Sequence, residues 1–91
     1  MGEETPRRII NSAKSQTLEV TVRIGRIGIT EPLISEISDQ LSRKNLVKVK
    51  ANKGITSDRQ QRRMLFSEIA KLTSASVVFQ RGNVAVFWSG K

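Results

Sequence analysis

The 91-residue sequence contains no cysteine and no histidine. Without cysteine there are no disulfides and no thiolate metal sites. Without histidine the usual general base and the commonest metal ligand are both missing. Aromatic residues are scarce, with Phe66, Phe79, Phe87 and Trp88 and no tyrosine, so a platform of rings for stacking bases is not visible. No run of residues approaches the roughly 18 apolar positions of a membrane span, and Met1 to Arg8 is polar and charged with no apolar signal core behind it. A cytoplasmic chain that avoids membranes is the expectation. Negative charge is also scarce. Eight Asp and Glu face sixteen Lys and Arg, giving a net charge of +8 and a pI near 10.9. A pI above roughly 9 is the electrostatic footprint of nucleic-acid binding. The acids Glu19, Glu31, Glu36, Asp39, Asp58 and Glu68 are scattered. They show no metal-ligand spacing and no nucleophile–base pairing, so neither an enzyme nor a cofactor is expected.

What is present is a regular alternation of elements. Residues 1–5 read as a disordered lead-in and residues 6–91 as one domain. Pro6 suits the first turn of a short helix over Arg7 to Lys14, with Ile9, Ile10 and Ala13 as its apolar stripe. Glu19 to Ile24 alternates as a half-buried strand, placing Val20, Val22 and Ile24 on one face. After a Gly25–Gly28 loop, Thr30 is a good N-cap for an amphipathic helix to Ser42 carrying Leu33, Ile34, Ile37 and Leu41. Leu46 to Ala51 is a second strand. Ser57 and Gln60 form a capping-box pattern for a helix from Asp58 to about Leu72, which would bury Leu65, Ile69 and Leu72, with Phe66 as a further candidate. Ser76 to Gln80 and Val84 to Trp88 are strands joined by a Gly82-Asn83 hairpin turn. The order α-β-α-β-α-β-β predicts an α+β fold, a four-stranded mixed sheet with helices packed on it.

The loop Gly25-Arg26-Ile27-Gly28 stands between a strand and a helix N-terminus. Two glycines let the backbone turn sharply and approach a ligand without a Cβ in the way. A helix start offers unpaired N–H groups and partial positive charge. Arg26 adds charge at the tip, Arg23 enters from the strand, and Thr30 follows. A Gly-x-x-Gly loop among basic residues is how Lys-homology domains clamp an RNA backbone, although two glycines at such a place are commonly only a turn. Glu31 opposes an anion there. Arg43, Lys44, Lys48, Lys50 and Lys53 would extend a phosphate track, and Arg59, Arg62 and Arg63 form a second basic patch, expected on the side of their helix opposite the apolar one. No nucleotide-triphosphate or dinucleotide glycine motif is present.

The runs Val22-Arg-Ile-Gly-Arg-Ile-Gly-Ile-Thr-Glu31, Asn45-Leu-Val-Lys-Val-Lys50, Thr73-Ser-Ala-Ser-Val-Val-Phe-Gln-Arg-Gly82 and Val86-Phe-Trp88 occur in that order. Together they resemble the CRM domain, the chloroplast RNA splicing and ribosome maturation domain, whose stand-alone bacterial form is YhbY-like. The resemblance spans about Pro6 to Ser89. It implies a fold similar to the C-terminal domain of translation initiation factor three, and RNA binding through the Gly25–Gly28 loop. The implied partners are ribosomal RNA precursors, ribosomal particles or intron RNA, with the protein acting as a monomer. Ser89 stands where the family often has arginine, and Ile27 puts an apolar residue at a loop tip that is commonly polar. The rival readings are an Alba-like chromatin or RNA-binding protein, and a structural ribosome-associated protein whose basic surface docks protein.

Overall fold

A computed structural model describes residues 5–52, 54 and 58–90. The lead-in residues 1–4, Lys53 and Ser57 lie outside them. Seven elements follow the expected order: α1 Arg7–Lys14, β1 Val20–Ile24, α2 Glu31–Lys44, β2 Leu46–Ala51, α3 Arg59–Thr73, β3 Ser76–Arg81 and β4 Val84–Trp88. The strands form one mixed sheet in the order β1-β2-β4-β3. β1 runs parallel to β2, and β4 runs antiparallel to both β2 and β3.

Period-two alternation sorts the sheet into two faces. Val22, Ile24, Val47, Val49, Ala51, Ala85 and Phe87 share one face and pack against Ile37 and Leu41 of α2 and Phe66 and Ile69 of α3. The other face carries α1 over β3. Ile9 and Ala13 are buried on that helix, and Val86, which alternates with Ala85 and Phe87, is buried too. The polar member of the core is Gln40, and its side-chain amide is satisfied at both ends. It accepts from Thr21 Oγ1 at 2.5 Å and donates to Glu36 Oε2 at 2.7 Å, as a buried amide must.

Several local expectations shift. Pro6 is the N-cap of α1 rather than a residue of its first turn. The register of β1 slips between Val20 and Val22. Val20 therefore pairs with Lys48 and leaves the row of Val22 and Ile24. An extra residue in a strand rotates everything beyond it by one face. α3 begins one residue later than the capping-box pattern implies. Its cap is Asp58, whose carboxylate accepts from the Gln60 amide at 3.2 Å. α3 also buries a different stripe. Phe66 and Ile69 are fully buried, Leu65 is partly buried, and Leu72 is 50% exposed. That rotation carries Arg62, four residues before Phe66, toward the core side, where it is half-buried rather than opposite the apolar face.

Candidate nucleic-acid interface

Because β1 and β2 are parallel, both end at the same edge of the sheet, and the β3–β4 hairpin turns there as well. Hydrogen bonds tie these three ends together. The Asn52 amide donates to the Ile24 carbonyl at 2.9 Å, and the Ala51 amide donates to the Asn83 carbonyl at 2.7 Å. The Asn83 side chain returns a bond to the Ala51 carbonyl at 2.6 Å. The hairpin turn is held tight by Gly82 at φ +60, while Asn83 keeps a negative φ, the pattern of a type II′ turn.

Gly25 to Gly28 closes on itself through a Gly28 N–H to Gly25 carbonyl bond of 3.0 Å. Gly28 takes φ +85, a conformation that side chains with a Cβ rarely adopt. Arg26 is exposed at the corner and Ile27 is 86% exposed. Their backbone amides make no hydrogen bond among the described residues. The helix behind the turn offers an anion less than a bare N-terminus would. Thr30 Oγ1 already accepts from the Leu33 amide at 3.2 Å, Pro32 has no N–H, and Glu31 places a carboxylate in the first turn. Positive charge here comes from side chains.

Three of those side chains form a row. Arg23 pairs across the strands with Lys50, Lys50 with Val84, and Val84 with Arg81. All four point to the α1 side of the sheet, at its loop end. At about 4.8 Å per strand the row spans about 14 Å. A cleft of about 460 Å³ lies alongside it, lined by Arg23, Gly25, Lys50, Asn52 and Asn83 among others. Among the described residues the one ion pair is Arg43–Asp39 at 2.7 Å. Arg23, Arg26 and Arg81 are exposed and Lys50 is half-buried, and none of the four has a carboxylate partner among the described residues.

The remaining expected residues fall elsewhere. Lys48 donates to the Leu18 carbonyl at 3.1 Å and is half-buried, so its ammonium braces the α1–β1 connection. Lys44 and Arg43 lie at the far end of α2 from the loop, about 20 Å away at 1.5 Å per residue. They are not part of a track beginning at Gly25. Arg59, Arg62 and Arg63 stand at the start of α3 on the other side of the hairpin. Arg81 and Asn83 escaped the sequence reading. A two-residue turn at Gly82-Asn83 already fixes the pairing of Arg81 with Val84, but the pairing of Val84 with Lys50 is non-local. One ring approaches this end of the sheet: Phe79, partly buried, pairs with Val86 on the α1 face two residues before Arg81. Phe66 and Phe87 are buried edge to face, with centroids 6.2 Å apart. Trp88 is paired with Leu46 and Ser76 at the opposite end of the sheet.

Three helices and a four-stranded mixed sheet, with cations and a glycine turn gathered at one end, define a small module of the α+β class. The chain belongs to the CRS1 / YhbY (CRM) domain family, an RNA-binding domain family whose profile matches residues 7–89. In structure it is similar to the hypothetical protein SAV1595 of Staphylococcus aureus, which is described as a candidate RNA-binding protein. The TM-score is 0.71 at 23% identity, over 89% of this chain and 80% of that one. No curated protein matches the chain in sequence.

Proposed function

We propose that the protein grips an RNA backbone at the loop end of its sheet, with the Gly25–Gly28 turn, Arg23, Arg26 and Lys50 contacting phosphates. The observation that carries this is that, among the described residues, these cations have no carboxylate partner and stand beside a cleft lined by Arg23, Gly25 and Lys50. The grip reads charge and shape rather than sequence, because Phe66 and Phe87 are buried, Trp88 is at the far end of the sheet, and the partly buried Phe79 is a single ring rather than a stacking platform. Its target is structured RNA undergoing assembly, a precursor of the large ribosomal subunit or an intron. Sequencing the RNA crosslinked to the protein in cells tells the two apart.

The salt dependence of binding tests the grip. Neutralising Z phosphates of a single strand gives a log–log slope of about −0.7Z, so roughly four to six contacts give about −3 to −4. Filter binding to a single-stranded RNA across a salt series measures it. A slope near zero would assign the basic edge to protein docking, and tighter binding to duplex DNA than to RNA would favour a chromatin role.

The two strand lysines should separate. Lys50→Ala is expected to weaken binding about equally across unrelated RNAs, by a few-fold, because a phosphate contact carries no sequence information. Lys48→Ala is expected to leave affinity nearly unchanged and to lower the melting temperature, since it frees the half-buried Leu18 carbonyl. Fluorescence titration against several RNAs and a thermal melt decide it. Equal loss of affinity in both variants would place Lys48 in the RNA track after all.

A further inference from the structure

A second cleft, of about 530 Å³, opens on the other side of the hairpin from the first. Arg59, Arg62 and Arg63 form one wall, and Gln80 and Gly82 form the other. No carboxylate neutralises these arginines among the described residues. The nearest acid in sequence, Asp58, is turned to the Gln60 amide. Arg62 is held differently from its neighbours. It is half-buried, and its Nε is covered without any hydrogen-bond partner. A covered guanidinium N–H without an acceptor is unfavourable. The Nε–Nη edge of arginine is a fork that matches two oxygens of a phosphate. Turning that edge into the cleft onto a phosphate would supply the acceptor that the protein does not. The opposing wall leaves room for such a group, because a Cβ built at Gly82 meets nothing within 4 Å.

The two clefts share one ridge. Asn83 lines the first and Gly82 the second, and they are consecutive residues of the turn that Asn83 pins to Ala51. We propose that the Arg59–Arg62–Arg63 cleft is a second phosphate subsite for the same RNA strand. The strand then leaves the Gly25–Gly28 grip, crosses the hairpin crest at Gly82–Asn83, and is held again by the arginines of α3. This rests on the reading of the first cleft as an RNA grip, and it adds a footprint. One short oligomer reaches one cleft, while a longer one bridges both.

Fluorescence anisotropy with single-stranded uridine oligomers of about four and about twelve nucleotides, a range typical of single-strand sites, tests it. The wild type is expected to bind the longer oligomer at least tenfold more tightly. Arg59→Gln with Arg63→Gln changes two exposed residues. It should remove most of that gain, leave the short oligomer and the melting temperature nearly unchanged, and reduce the salt slope for the long oligomer by about 1.4 for two lost contacts. Arg62→Lys keeps the charge but loses the fork, and should weaken the long oligomer about fivefold. If it lowers the melting temperature, the exposed pair decides alone. A uniform loss on both oligomers would mean diffuse attraction and no subsite. If the arginine variants bind the long oligomer as wild type does while a loop-tip variant does not, the second cleft is rejected and the first grip stands. If the loop-tip variant binds normally and the arginine variants fail, the first grip is the reading that falls, and the α3 cleft is the site.

Discussion

Replacing Arg26 and Ile27 together with aspartate is expected to remove most RNA binding while the melting temperature stays near that of the wild type. Both residues lie inside a turn closed by backbone atoms, the Gly28 amide and the Gly25 carbonyl. Ile27 is 86% exposed and Arg26 is exposed, so neither supports the core. Surface changes of this kind usually alter stability by about 0.5 kcal/mol or less. Binding is another matter. The double change replaces one positive charge with two negative ones, where phosphate is proposed to sit. A charge-assisted contact is worth about 1.5–3 kcal/mol, which is already tenfold or more in affinity. Glu31, in the first turn of α2 just beyond, adds to the repulsion. The capped start of that helix gives little in return, since Thr30 occupies the Leu33 amide. Titration of the variant against the RNA that the wild type binds, with a thermal melt as control, gives the answer. A folded variant that binds within about twofold of wild type would make Gly25–Gly28 a turn and nothing more.

Most of the architecture was readable from the chain because it is written locally. β2 stands where alternation put it, β4 where a run of β-formers did, and Gly82-Asn83 turns the predicted hairpin. Thr30 caps the helix it was expected to cap. The glycine turn was equally legible, since glycines flanked by a strand and a helix are a short-range signal. The faces of the sheet were less so. A slip at Thr21 moved Val20 across the sheet, and no pattern of period two announces an inserted residue. The candidate site was legible in its residues and not in its arrangement. Lys44, Lys48 and Lys50 are close in sequence, yet one sits at the far end of α2, one is bonded to Leu18, and one remains beside the cleft. The row of Arg23, Lys50 and Arg81 draws on three strands whose neighbours are fixed only by the order β1-β2-β4-β3.

α3 shows the same limit, and it yields the largest stability effect. Leu65, Ile69 and Leu72 fit a helical stripe, but Phe66, Ile69 and Thr73 fit one too, rotated by about one residue. Periodicity does not choose between stripes that share Ile69. Packing does, because Phe66 fills the space against Phe87 between α3 and the sheet. Both rings are 0% exposed and meet edge to face. Phe66→Ala is therefore expected to cost about 3–5 kcal/mol from lost transfer energy and the cavity left behind. Loss of the ring pair is part of the upper end of that range. At about 4–8 °C per kcal/mol for a domain of this size, the melting temperature falls by at least about 12 °C. A domain holding only about 5 kcal/mol of stability would then be partly unfolded at room temperature. Leu72→Ala, at a position 50% exposed, should cost about 1 kcal/mol or less, since about half its surface is already in water. Thermal melts of the two variants followed by circular dichroism give the ratio directly. If Leu72→Ala proves as damaging as Phe66→Ala, α3 is rotated toward the Leu65 stripe.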